Sequence, residues 1–199
     1  MLLRDLKGFE MTNNVGSLNK TGVHLILGGA RSGKSSLAEK IAKESGKHVI
    51  YVATATIYDN EMQQRIARHI DDRPSYWTTV EEPLELAEVL TRYSKNSKDS
   101  SQQDVCILVD CLTLWLSNVL MQKDECLAQY KASLLQTLNT LNDFSGPVIL
   151  VSNEVGQGIV PMGELSRRFV DEAGWLHQEI AAIAQSVTLV VAGLPLVLK

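Results

Sequence analysis

The stretch 23-VHLILGGARSGKSSLAEKIAKESG-46 decides how the rest of the chain is read. VHLIL is a short apolar run rich in branched residues, as a buried strand requires. Gly28, Gly33, Lys34 and Ser35 then satisfy the spacing G-x-x-x-x-G-K-[ST] of a phosphate-binding loop. The following SSLAEKIAKESG sets Leu37 and Ile41 one turn apart and closes at Gly46, which predicts a helix. A glycine loop between strand and helix turns its N–H groups around phosphates, and the helix adds its positive end. Gly28, Gly29, Ala30, Arg31, Ser32, Gly33, Lys34 and Ser35 are therefore expected to cradle a nucleoside triphosphate. The Lys34 ammonium belongs on the β and γ phosphates and the Ser35 hydroxyl on Mg²⁺.

The alternation continues away from the loop. HVIYVATA (48–55), YWTTVE (76–81), VCILVD (105–110) and VILVSNEV (148–155) read as strands. Helices are predicted over 59–70, over 83–93 with Pro83 at the start, over 112–120, over 125–142, and over 163–185 with Gly174 as a weak point. SVTLVVAGLPLVLK (186–199) reads as a strand pair turning at Gly193 to Pro195. Polar residues 94–103 read as a surface loop. Strands apolar throughout and alternating with helices imply an α/β fold, a mostly parallel sheet with helices on both faces. Residues 1–21 show no clear period and read as an appended, mobile extension; 22–199 read as one domain. Ligands of such a sheet sit beyond the carboxyl ends of its strands. The loop, the ATAT run, Asp110 and the SNEVG run all lie at such ends.

The chain of 199 residues has a formal net charge of -4, which argues against a nucleic-acid partner. Cys106, Cys111 and Cys126 form no C-x-x-C pair and read as reduced thiols. No apolar run approaches a membrane span, and MLLRDLKGFEMTNN is too broken by charge for a secretory signal. A cytoplasmic protein is expected.

Asp110 ends an apolar strand, where a carboxylate holds Mg²⁺ or caps the next helix. On the 59–70 helix, Glu61, Arg65 and His69 share one face beside the stripe Met62, Ile66 and Ile70. Such a face is ordinarily solvated. Here the helix leaves the sheet edge that takes phosphates, and a neutral imidazole there is a competent nucleophile toward the α-phosphorus. Asp71, Asp72 and Arg73 follow in a loop; Glu81, an acceptor for guanine donors, ends a strand. Trp77, Trp115 and Trp175 read as core or interface before they read as a platform for a flat ligand. No N-K-x-D run occurs, which excludes a regulatory GTPase. A small-molecule kinase and a nucleotide-gated binding or assembly protein stay open on these residues.

Seven separated segments carry a family likeness: GGARSGKS, YVATA, D-x-EMQQRIARH-x-x-x-RP-x-x-W-x-T-x-E, LVDCLTLW-x-x-N, VSNEVGQGIVP, RRFVDEAG and VVAGLP. In that order they resemble the bifunctional adenosylcobinamide kinase/adenosylcobinamide-phosphate guanylyltransferases of cobalamin biosynthesis. The likeness runs from Val23 to Lys199. It implies a RecA-like P-loop NTPase domain that assembles as a homotrimer. It implies phosphorylation of adenosylcobinamide by ATP or GTP, then GMP transfer from GTP through a guanylylated histidine to adenosylcobinamide phosphate. That histidine falls on His69. The family's GTP contacts fall on Gly28 to Ser35, on Thr54, Ala55 and Thr56, on Ile70, Asp71, Asp72 and Arg73, and on Glu81 and Asp110. The nearest alternative is a single-activity kinase without guanylyl transfer.

Overall fold

A computed structural model describes residues 21–56, 74–96, 105–122 and 126–199. The extension over residues 1–20, the expected 59–70 helix with His69, and Ile70, Asp71, Asp72 and Arg73 lie outside the described residues. Within them the order is β1 (Gly22–Gly28), α1 (Lys34–Glu44), β2 (His48–Ala53), β3 (Thr78–Glu81), α2 (Leu86–Asn96), β4 (Val105–Asp110), α3 (Leu112–Leu120), α4 (Cys126–Thr140), β5 (Pro147–Asn153), α5 (Glu164–Ile183), β6 (Ser186–Val191) and β7 (Leu194–Val197).

The seven strands form one sheet in the order β3-β2-β4-β5-β1-β6-β7. Pairing is parallel from β3 through β6, and β7 alone runs antiparallel, against β6. Alternate side chains of each strand go to opposite faces. Leu25, Leu27, Ile50, Val52, Ile107, Val109, Val148 and Leu150 pack under α2, α3, α4 and α5. Ile26, Val49, Tyr51, Cys106, Leu108, Ile149 and Val151 pack on the other side with Ala38, Ile41 and Ala42 of α1. Both faces are buried, so the strands read as continuous apolar runs rather than alternating ones. The sheet is therefore the α/β, mostly parallel sheet with helices on both faces that the pattern predicts.

Several boundaries move. α2 begins at Leu86, not Pro83, because Glu82 Oε1 accepts the N–H groups of Leu84 (3.0 Å) and Glu85 (2.9 Å) and holds that stretch as a turn. β3 starts at Thr78, and Trp77 packs into the core against Tyr51, with 6.3 Å between ring centroids. Residues 94–96 belong to α2 rather than to the surface loop. α4 stops at Thr140 and is followed by a short 3-10 turn, while Gly174 does not interrupt α5. The final turn is Ala192-Gly193, with φ of 51° and 80°, a two-residue hairpin whose twist matches its strands. Pro195 then lies within β7, an edge strand where its missing N–H costs no ladder bond.

Candidate active site

The strand order puts the chemistry on one edge. Gly28 pairs with Asn153, and Ala53 pairs with both Asp110 and Glu81, so their carboxyl ends open the same way. The loop between β1 and α1 is tight. The Ser32 N–H donates to Gly29 O at 3.2 Å and the Leu37 N–H to Gly33 O at 3.0 Å. A Cβ on Gly28 would stand 2.7 Å from the Val190 carbonyl oxygen, so only glycine fits beside β6. Gly33 has φ 97° and caps α1 without a side-chain hydrogen bond. The first turn of α1 holds no acidic residue, which leaves its N–H groups and positive end for an anion. Lys34 is buried and rests its Nζ 3.3 Å from Gly29 O, folded over the loop. The final hairpin supports the loop from behind, since the Gly193 N–H donates to Ser32 O at 2.8 Å.

Asp110 stands two strands from the loop. The N-cap of α3 is Cys111, without a side-chain cap bond, so the Asp110 carboxylate does not cap that helix. It accepts the Tyr51 hydroxyl at 3.1 Å instead. Burial pushes the Cys111 thiol up to about 11; Asp110 adds to the shift, and the Lys34 ammonium is among the groups that oppose it. One thiol thus senses both the lysine of the loop and the carboxylate of β4. A single carboxylate and a serine hydroxyl suit Mg²⁺, whose remaining positions go to phosphate and water. Asp110 and Ser35 are the residues that would hold it.

The end of β2 is locked to the start of α3. Thr54 donates through Oγ1 to Cys111 O at 2.7 Å and accepts the Cys111 N–H at 2.9 Å. Asn118 donates to Thr54 O at 2.8 Å and to Pro83 O at 3.1 Å, and accepts the Thr56 hydroxyl at 3.3 Å. The fully buried Thr54 side chain is spent inside the protein, while Ala55 and Thr56 are half-buried at the edge. Glu81 is exposed at the end of the outermost strand. Four strand spacings, roughly 19 Å, separate it from Gly28, too far for the phosphates of one nucleotide but suited to its base end.

At the end of β5, Asn153 donates to Thr113 Oγ1 at 3.1 Å, while its buried Oδ1 meets no partner among the described residues. The Glu154 N–H donates to Gly28 O at 3.0 Å. His177 of α5 lies buried against Ser152 at 2.7 Å. Trp77 and Trp115 are core, the latter donating to Leu84 O at 2.8 Å; Trp175 is exposed on α5. His177 escapes a reading by motif, while Tyr51, Asn118 and Gly193 stand inside the YVATA, LVDCLTLW-x-x-N and VVAGLP segments without a role assigned to them. The available signal was a polar residue standing on a buried stripe, as His177 does between Ala173 and Ile180.

A sequence model for "Cobinamide kinase / cobinamide phosphate guanyltransferase" matches residues 24–198. The chain belongs to this family. It is 54% identical over 176 residues to the bifunctional adenosylcobalamin biosynthesis protein CobP of Pseudomonas aeruginosa, covering 88% of this chain and 96% of that one. It is 38% identical to the bifunctional adenosylcobalamin biosynthesis protein CobU of Escherichia coli, covering 88% and 98%. Among solved structures it is similar to an ATPase of a bacterial type III secretion system, with TM-score 0.53, 11% identity and coverage of 84% and 50%. A protein from Pyrococcus horikoshii OT3 gives TM-score 0.54 at 10% identity, over 90% and 86%. At such identities the likeness is one of fold, the RecA-like P-loop NTPase. In this chain of the family the phosphate loop and a strand-end carboxylate open on one sheet edge.

Proposed function

We propose that the protein catalyses two successive transfers in cobalamin biosynthesis. The observation that carries this is the family match across residues 24–198, laid on a chain whose phosphate loop and Asp110 face one sheet edge. In the first transfer, the hydroxyl of the aminopropanol arm of adenosylcobinamide attacks the γ-phosphorus of ATP or GTP. Loop N–H groups, the N-terminus of α1 and Lys34 stabilise the charge on the transferred group. Bound Mg²⁺, held by Ser35 and Asp110, would neutralise further phosphate charge. In the second, a ring nitrogen of His69 attacks the α-phosphorus of GTP. A P–N bond forms, the α–β P–O bond breaks, and its electron pair leaves with pyrophosphate. A phosphate oxygen of adenosylcobinamide phosphate then displaces the histidine, giving adenosylcobinamide-GDP and the free imidazole. The covalent intermediate divides one hard displacement into two easier ones.

Ala55, Thr56, Ile70, Asp71, Asp72, Arg73 and Glu81 contribute to the nucleoside end of GTP in this reading, and Arg65 or Arg73 neutralises developing phosphate charge. The protein works as a homotrimer. Among the described residues no helix is long and apolar enough to cross a membrane. The experiment is incubation with Mg²⁺ and GTP labelled at the α-phosphate, followed by denaturation. Acid-labile, alkali-stable label on the wild type and none on His69→Ala is expected. Label on neither, with γ-phosphoryl still reaching adenosylcobinamide, would leave only the kinase.

A further inference from the structure

β5 lies between β1, which carries the phosphate loop, and β4, which carries Asp110. Its carboxyl end therefore opens into the gap between the phosphates and the strand-end carboxylate. Glu154 is the first residue past that end. Its backbone is pinned to the loop by the 3.0 Å bond from its N–H to Gly28 O. Its Oε1 accepts the Gly156 N–H at 2.7 Å, and its Oε2 stands 3.9 Å from His177 Nδ1. His177 reaches in from the middle of α5 and meets Ser152 Oγ through Nε2 at 2.7 Å. The Glu154 side chain keeps 23% of its surface exposed, against 8% for His177. A groove of about 360 Å³ opens at the next residue, Val155, between Leu120, Pro161 and Phe169, leaving room for a bulky acceptor.

We infer that Glu154 is the general base of the phosphoryl transfer, and that His177 and Ser152 are positioning residues that aim its carboxylate. This rests on the kinase half of the function proposed above. Burial lowers the basicity of His177, although Glu154 opposes the shift, so the ring is neutral at pH 7. Ser152 then donates its hydroxyl to Nε2, and Nδ1 keeps its proton toward Glu154. At 3.9 Å the neutral ring positions the carboxylate as a fixed wall beside it, without a direct hydrogen bond and without taking up a charge. Among the described carboxylates the alternatives are occupied or remote: Asp110 faces Tyr51 and the metal position, and Glu81 lies four strands from the loop. In the step, the acceptor hydroxyl gives its proton to Glu154 and its oxygen forms a bond to the γ-phosphorus. The bond from that phosphorus to the bridging oxygen breaks, and the electron pair departs with the nucleoside diphosphate. Glu154 later returns the proton to water.

The test compares wild type, Glu154→Gln, Glu154→Asp, His177→Asn and the Glu154→Gln/His177→Asn double variant. Two rates are measured on each full-length protein: γ-phosphoryl transfer to adenosylcobinamide and enzyme labelling from α-labelled GTP. Removing a general base costs about 100-fold or more in kcat. Glu154→Gln is expected to lose that much phosphoryl transfer, with the KM for adenosylcobinamide within about threefold. Labelling involves no acceptor hydroxyl, so the ratio of labelling to phosphoryl transfer should rise by about the same 100-fold. His177→Asn should lose about tenfold in kcat through misaimed geometry, Glu154→Asp should recover part of the rate, and the double variant should be no slower than Glu154→Gln. Phosphoryl transfer by Glu154→Gln near the wild-type rate overturns the assignment. So does a parallel loss of both rates, which would make Glu154 part of the shared nucleotide cradle. A wild type that labels but never transfers γ-phosphoryl overturns the kinase reading itself, and the assignment with it.

Discussion

Replacing Thr54 by valine tests whether the strand ends are locked as described. Valine keeps the shape and removes the hydroxyl that bonds both polar groups of Cys111, at 2.7 and 2.9 Å. The two groups do not suffer equally. The Cys111 carbonyl keeps its helical bond from the Trp115 N–H at 3.1 Å, whereas the Cys111 N–H loses the acceptor that holds it. A buried, orphaned N–H costs about 1–3 kcal/mol and the second lost bond about 1 kcal/mol, so about 3 kcal/mol is expected. For a chain of this size each kcal/mol moves Tm by about 2–4 °C, giving a fall of about 6–12 °C. Thr54→Ser keeps both bonds and loses one buried methyl, which costs about 1 kcal/mol. The assay is thermal denaturation of the three proteins, with and without nucleotide. Because the same peptide carries Asp110, Thr54→Val should also gain less stability from Mg²⁺-nucleotide than Thr54→Ser. A Thr54→Val protein melting within 1 °C of wild type would refute the reasoning (roughly 0.3 kcal/mol). So would a Thr54→Ser protein that falls as far.

Three other outcomes are expected. Lys34→Met removes the point charge over the phosphates and should lower both transfers about 100-fold or more while the far-ultraviolet circular dichroism stays unchanged; calorimetric titration with nucleotide checks the binding loss. Gly146→Ala places a Cβ inside contact distance of the Val105 carbonyl oxygen, backbone that cannot turn aside, and should cost about 2 kcal/mol or more in denaturant unfolding. Burial holds the Cys106 thiol up from 9.0 to about 12 and the Cys111 thiol up to about 11. Above pH 9 the unfolded thiols ionise while the folded ones stay protonated. The unfolded state then binds fewer protons, and stability falls as pH rises from 9 toward 11. Cys106→Ala should flatten that fall in a series of denaturation midpoints, and an unchanged slope would refute the assignment.

The loop was legible because its work is done by backbone: positive φ at Gly33 and close approach at Gly28 each exclude other residue types, so the spacing is written in the sequence. The strands were legible because both faces are buried. Less visible was anything set by pairing over distance. Tyr51 meets Asp110, and Asn118 meets Thr54, only because β2 and β4 are neighbours in the sheet. The final turn, expected at Gly193 to Pro195, begins one residue earlier because Ala192 adopts a positive φ that its side chain does not advertise, while Pro195 signals a turn and stands on an edge strand. Trp77 and Trp115 read as core or interface ahead of ligand platforms, and they are core, with Tyr51 stacked on the first and Leu84 O bonded to the second. His177 meets Ser152 and faces Glu154 only because β5 lies beneath α5.

The order of strands also dictates when during synthesis the protein gains its chemistry. β2, β3 and β4 pair among themselves and are made early. β1 emerges first, yet its partners are β5 and β6. The phosphate loop therefore leaves the ribosome with its strand unpaired, and it stays so until residues past Asn153 have cleared the exit tunnel. Docking of β5 places the loop, Asp110 and Glu154 on one edge in a single event. A growing chain is thus blind to nucleotide for most of its synthesis and acquires its affinity late, so cellular triphosphate pulls on the docking of β5 and the strands after it and not on the pairing of β2, β3 and β4.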